Sequence, residues 1–151
     1  MRRAGATTIS ATAQTRGVEV TADAAIVPDE LHARGGYTYN LAVNTQDHIN
    51  EYRVPVNSGY ISLVYTGIPK LEIEPRLLLV GPALDENFLV VPSANVVLAG
   101  YARLDCIVNY KINDTFTAFV RGENLTDTRY ETVYDYSTPG ASVYAGLTAK
   151  F

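Results

Sequence analysis

The residues with the most chemical capacity fall into two patterns. The first is the acidic trio Asp127, Glu131 and Asp135, interleaved with Tyr130, Tyr134 and Tyr136. Three carboxylates could bind calcium, but their spacing is not that of an EF-hand loop. A solvated loop face accounts for them better. Tyrosines make good anchors in binding surfaces, so Tyr130, Tyr134 and Tyr136 are candidates for touching a ligand, weighed against plain loop packing. In the second pattern, acids and bases recur at alternate positions: Glu72, Glu74 and Arg76, then Arg103 and Asp105, then Arg121 and Glu123, with Glu19 and Asp23 upstream. Groups of both signs can pair with one another or face a wet cavity, and structural pairing is the leading role expected of Arg121 and Glu123.

Other chemistries find no support. No Gly-x-Ser-x-Gly nucleophile motif and no phosphate-binding glycine loop occurs, so no enzyme site and no cofactor is expected. His32 and His48 stand alone, without metal-ligand spacing. One cysteine, Cys106, permits no internal disulfide. The net charge is −4 and the basic residues are scattered, which argues against nucleic acid as a partner.

What positions these residues is a period of two. About seven segments alternate apolar with polar side chains, the signature of strands with two unlike faces. Val18, Val20, Ala22 and Ala24 oppose Glu19, Thr21 and Asp23. Tyr37, Tyr39, Leu41 and Val43 oppose Thr38, Asn40 and Ala42. Ile61, Leu63 and Tyr65 oppose Tyr60, Ser62 and Val64. Leu71, Ile73, Leu77 and Leu79 oppose Glu72, Glu74 and Arg76, with Pro75 in the apolar set, where a bulge or local break is expected. Ala102, Leu104, Cys106, Val108 and Tyr110 oppose Arg103, Asp105 and Asn109. Phe116, Ala118, Val120 and Gly122 oppose Thr117, Phe119, Arg121 and Glu123. Last, Val143, Ala145, Leu147, Ala149 and Phe151 oppose Ser142, Tyr144, Gly146, Thr148 and Lys150.

The connections alternate in length. They are short near Pro28, near Pro69 and at 111–114, and long at 44–58, 81–100 and 125–140. Segregation of short turns from long loops is the habit of bacterial outer-membrane barrels, with short turns periplasmic and long loops extracellular. No run reaches the roughly 18–20 apolar residues of a membrane-spanning helix, so a membrane location must come from strands. The apolar parity of these segments carries no charge, as contact with lipid would require, while the other parity is ionic, as a wet lumen would require. Tyr37, Tyr65, Tyr101 and Tyr110 sit near strand ends like an interfacial girdle. The fold class expected is all-β, an antiparallel transmembrane β-barrel.

Several stretches carry a resemblance. Leu98-Ala99-Gly100-Tyr101-Ala102-Arg103-Leu104-Asp105 resembles the "GY…D" strand, and Phe119-Val120-Arg121-Gly122-Glu123-Asn124-Leu125-Thr126-Asp127 the "R-x-E-N-L-x-D" strand end, of TonB-dependent outer-membrane receptors. Arg16-Gly17-Val18-Glu19 resembles their "G-V-E" strand, and Tyr136-Ser137-Thr138-Pro139-Gly140 the tail of the cobalamin branch. The terminal strand, with Val143, Ala145, Leu147, Ala149 and Phe151 at every second position, resembles the outer-membrane assembly signal. The resemblance covers roughly residues 16–151.

It implies about the last seven strands of a barrel of about 22 with a plugged lumen. It also implies import of cobalamin or an iron–siderophore. The partners implied are outer-membrane lipid, the remaining strands and plug domain, the TonB complex through an N-terminal region, and the barrel-assembly machinery. Residues 1–14 show Arg2 and Arg3 but no apolar segment after them, so no signal peptide is read. Residues 15–151 are expected to be the C-terminal part of a longer receptor, unable to transport alone. Two other readings remain: a self-contained eight-strand barrel with a structural or adhesive role, using Ile9, Ala11 and Ala13 in an added strand, and a soluble β-sandwich binding module.

Overall fold

A computed structural model describes residues 13–151. The extra strand considered around Ile9 and Ala11, and nearly all of the 1–14 segment, lie outside these residues. Every regular element described is a strand: β1 (Ala13–Val27), β2 (Leu31–Asn44), β3 (Ile49–Asn50), β4 (Asn57–Ile68), β5 (Leu71–Val80), β6 (Ala83–Asn87), β7 (Ala94–Leu98), β8 (Tyr101–Lys111), β9 (Phe116–Glu123) and β10 (Ser142–Ala149). Seven of them form one sheet in the order β1-β2-β4-β5-β8-β9-β10, with the short β3 pairing β2. All the pairings are antiparallel. The β6–β7 hairpin forms a separate two-stranded sheet within the 81–100 connection.

Local sequence explains the short turns. At Val27-Pro28-Asp29-Glu30 the Glu30 N–H donates to the Val27 carbonyl at 3.1 Å, and Asp29 has φ 63°. Proline presets φ for the second residue of a type II turn, and the third residue needs positive φ. Ile68-Pro69-Lys70-Leu71 repeats the arrangement, with Lys70 at φ 68°. The third turn is of a different kind: Asn113 Oδ1 accepts from the Thr115 N–H at 2.9 Å and the Phe116 N–H at 2.8 Å, an asparagine side chain standing in for a backbone turn. All three lie at one end of the meander, and the three long connections lie at the other.

Register then assembles the faces. Ile61, Leu77 and Leu104 are in line across β4, β5 and β8, and Val108, Val120 and Ala145 across β8, β9 and β10. On the other face Asp23, Arg34, Ser62, Arg76 and Asp105 form a row over five strands. Burial is inverted relative to a soluble protein. On β4, Ile61 is 55% and Leu63 42% exposed, while Ser62 is 2% and Val64 6% exposed. Among the described residues only Ala42, Val64 and Leu98 are buried hydrophobics. Moving one aliphatic side chain out of water is worth about 1.5–3 kcal/mol, so a bare row of them is not a water-facing surface. Among the described residues no second sheet covers that face, so a sandwich would lack its partner layer. Leu77 and Leu147 are exposed and Leu104 is partly so.

Of the bulge or local break expected at Pro75, the structure shows the break; a second expectation needs correction. Pro75 causes no bulge: it stays in register with Cys106 of β8. On the β4 side the ladder is interrupted beside it but resumes in the same register, and the shift comes further on, between Tyr65 and Ile68. The missing N–H costs pairing on one side only. Tyr101 does not belong to an outward girdle, because it shares the parity of Arg103 and Asp105 and stacks on Tyr130 with ring centroids 4.0 Å apart. Tyr37 and Tyr110 do face outward and are exposed.

No strand pairs the outer side of β1 or β10 among the described residues. Open edges template association, so the chain produced alone should be insoluble without detergent. A clear supernatant after high-speed centrifugation at high concentration would contradict this. Within a barrel, Leu104→Arg should cost about 2–4 kcal/mol as a charge facing hydrocarbon, and Thr117→Arg on the opposite face should cost little. Urea titration of the protein in lipid vesicles, followed by heat-modifiable gel mobility, measures both.

Candidate functional site

The polar face is a wall of mutually satisfied groups. Arg34 Nε donates to Asp23 Oδ2 at 2.8 Å, and Arg103 Nη2 to Asp105 Oδ2 at 2.8 Å. Arg121 Nε lies 3.1 Å from Glu123 Oε1, and its guanidinium lies 5.0 Å from the Tyr144 ring centroid. Asn109 Nδ2 donates to Glu72 Oε1 at 2.9 Å. Arg76 is placed over the Tyr60 ring at 4.1 Å, a cation–π contact. Glu74 lies on the same face, in register with Ile107, whose other neighbour is Arg121. The exposed pairs among these contribute little to stability, and their role is to match charges of opposite sign across a wet surface.

Above the wall, the 124–141 loop hangs from one asparagine. Asn124 is 2% exposed and adopts φ 51°, a region asparagine tolerates better than most residues. Its Nδ2 donates to the Thr128 carbonyl at 3.0 Å and the Pro139 carbonyl at 3.2 Å, and its Oδ1 accepts from the Thr128 N–H at 2.9 Å. Asp105 Oδ1 accepts from the Asn124 N–H at 2.9 Å. The Leu125 N–H reaches the Leu104 carbonyl at 2.7 Å. Asp127 closes the loop, its Oδ1 accepting from the Ala141 N–H at 3.0 Å. Gly140 sits beside it, and a Cβ there would lie 2.5 Å from that oxygen and displace the Asp127 side chain. The Arg-x-Glu-Asn-Leu-x-Asp stretch is therefore a loop clip.

The three candidate tyrosines divide. Tyr130 is committed to the wall: its ring stacks on Tyr101, and its hydroxyl accepts from Arg103 Nη1 at 3.1 Å. Tyr134 is half-buried, and its N–H is bonded to Asp85. Tyr136 alone is broadly exposed, at 71%. Beside Tyr130, Arg129 and Thr138 line an open cleft of about 580 Å³ that Gly100 borders from the preceding loop. On β10, Val143, Ala145, Leu147 and Ala149 line the outward face opposite Gly122, Val120, Ala118 and Phe116, and Phe151 is fully exposed.

Asp85, on β6, escaped the sequence reading. It is 1% exposed, yet lies on the β6–β7 hairpin, outside the main sheet. Arg53 Nε, from the 45–56 connection, donates to its Oδ1 at 2.9 Å, and the Tyr134 N–H, from the 124–141 connection, donates to its Oδ2 at 2.7 Å. Burial pushes this carboxyl up. The Tyr134 and Glu86 N–H groups and the Arg53 guanidinium outweigh that and hold it below the ordinary aspartate range. Its partners are 32 and 49 residues away in sequence, so no local motif could have announced it. Among the described residues no group of acidic, histidine or cysteine side chains is arranged to hold a metal ion.

An antiparallel sheet with exposed aliphatic side chains on one parity, paired charges on the other and its long loops at one end is the pattern of a membrane-spanning β-barrel segment. Comparison with known proteins gives the class: the chain has the fold of part of a TonB-dependent receptor of the bacterial outer membrane. It is similar to the ferripyoverdine receptor of the outer membrane of Pseudomonas aeruginosa, at TM-score 0.72 and 16% identity, over 93% of this chain and 20% of that one. The copper transporter OprC matches at TM-score 0.75 and 15% identity, over 92% and 24%. The ferric enterobactin receptor PfeA from Pseudomonas aeruginosa matches at TM-score 0.75 and 19% identity, over 91% and 22%. In sequence, the vitamin B12 transporter BtuB of Vibrio cholerae is 31% identical over 72 residues, 48% of this chain. The chain spans 12% of the length of that relative. No family model matches.

Asn124→Ala should loosen the loop clip. It leaves the Thr128 N–H and two carbonyls without partners and places alanine at positive φ, which together cost about 2–3 kcal/mol. Asn124→Asp, which keeps the acceptor, should fall between. Hydrogen exchange of the 124–141 amides, compared with those of β8, measures the local loss.

Proposed function

We propose that this chain is part of the barrel wall and outer loops of a TonB-dependent active transporter that takes cobalamin or an iron–siderophore across the outer membrane. The observation that carries this reading is the inverted sheet: exposed Ile61 and Leu63 alternate on one strand with buried Ser62 and Val64, at a place where the long loops gather at one end. Lipid solvates the first pair and a filled lumen shelters the second. The similarity to BtuB favours cobalamin, and the similarities of fold to siderophore receptors favour an iron chelate.

In this reading the segment supplies wall and rim but not an import path. A plug domain would pack against the paired charges of the lumen face. The remaining barrel strands would satisfy the edges of β1 and β10. The TonB complex would deliver energy through an N-terminal region, and the barrel-assembly machinery would read Val143, Ala145, Leu147, Ala149 and Phe151. The exposed ring of Tyr136 would be available to a ligand at the mouth, whereas Tyr130 and Tyr134 would hold the loop that presents it. None of these roles calls for catalysis by the chain.

Deleting the gene that encodes this chain in its host should abolish or sharply reduce uptake of radiolabelled cyanocobalamin or of a ferric siderophore, and restoring the gene should recover it. Unchanged uptake of both classes would remove the basis for the proposal.

A further inference from the structure

Asp85 does more than fill space in its own hairpin. Its two carboxylate oxygens are divided between two other loops: Oδ1 takes Arg53 and Oδ2 takes the Tyr134 N–H. The 45–56 connection is fastened to the β6–β7 hairpin at two further points. The Arg53 N–H donates to the Leu84 carbonyl at 2.6 Å, and the Tyr52 hydroxyl donates to Asn95 Oδ1 at 2.7 Å. Arg53 is held at φ 64°, a conformation that an arginine keeps only when its surroundings impose it. Where the three connections meet they enclose a small cavity of about 170 Å³, lined by Arg53, Leu98, Tyr101 and Thr132 among others. A buried carboxylate with one oxygen committed to each neighbour cannot release either without stranding itself.

We propose that Asp85 is a clasp that locks the 45–56, 81–100 and 124–141 connections into one rim, so that they open and close as a unit. Describing that rim as an entrance rests on the transport reading; the coupling of the loops does not.

Trypsin offers a direct readout, because Arg129 is exposed on the 124–141 connection and does not touch Asp85. The protein at its full natural length, in outer membranes, is treated with trypsin from outside, and cleavage after Arg129 is timed. Proteolysis of a folded protein tracks the population of the opened segment, so Asp85→Ala should speed this cut by about tenfold or more. Arg53→Gln should do so as well, and Arg53→Lys, which keeps the charge, should stay near the unaltered rate. Heat-modifiable mobility verifies that each barrel is folded. Should Asp85→Ala fail to assemble, Arg53→Gln, altered at a half-exposed side chain, carries the test. Cleavage within twofold of the unaltered protein in every folded variant would overturn the clasp and leave the loop held by Asn124, Asp127 and Tyr130. Uptake of cyanocobalamin and ferric enterobactin by the same strains judges the transport reading separately. If the unaltered protein takes up neither, that reading falls and the protease rates still decide the clasp.

Discussion

Hydrocarbon offers no water to a peptide group, so every N–H and C=O in a spanning strand must be paired by the next strand. Much of this molecule follows from that constraint. The ladders run for most of the length of β1, β2, β4, β5, β8 and β9. Interruptions are few and positioned. Pro75 lacks a donor, and the gap falls on one side of β5 only. Because pairing fixes register and side chains alternate with a period of two, one face becomes mainly apolar and the other gathers most of the charged groups, with Arg16 at the start of β1 on the apolar parity and Val64, Ile107 and Phe119 on the polar one. A slip of one residue in any ladder would put arginine and glutamate into lipid.

A protein turned inside out in this way lacks the usual means of holding its loops. There is no apolar core for them to pack on, since the apolar side chains are spent on the outward face. The buried groups make the point: beside Ala42, Val64 and Leu98 stand Ser62, Asp85 and Asn124. Two of those three polar residues secure long connections. Asn124 clips one loop to the top of β8 and β9, and Asp85 joins that loop to two others. No described side-chain nitrogen or oxygen is left buried without a partner, which is the condition under which a polar network is worth having. Hydrogen bonds here do the organising that hydrophobic packing does in a soluble domain.

The wall was legible in the sequence because its rule is local. Leu71-Glu72-Ile73-Glu74 states which side faces lipid within four residues, and the alternation of turn and loop lengths states which end is which. The clip at Asn124 was visible as a stretch of residues, although its role came only with the structure. What stayed hidden depends on distance or on detail within a loop. The β6–β7 hairpin was read as part of a featureless connection, because Leu84-Asp85-Glu86-Asn87 alternates too briefly to stand out. Asp85 meets its partners only after three loops have folded toward each other. Position at a strand end alone suggests a girdle role for Tyr101, but the parity it shares with Arg103 turns it inward, toward Tyr130.

The wall and the rim also differ in how they respond to charge. On the wall, Arg34 with Asp23, Arg103 with Asp105 and Arg121 with Glu123 are neighbours on the same strand or the next one. Such pairs are solvated and individually weak. Losing Arg34–Asp23 or Arg121–Glu123 would change the local potential and little else, whereas Arg103 and Asp105 also hold Tyr130 and Asn124 of the 124–141 loop. Asp85 is in the opposite regime. It is removed from water, bonded at both oxygens, and linked to segments that no other secondary structure ties together. Removing one partner from such a group strands a buried charge, which is far more costly than losing an exposed pair. The same residue type thus tunes a surface in one part of the molecule and holds its architecture in another. Burial decides which, and burial in this molecule follows from where lipid forbids the loops to go.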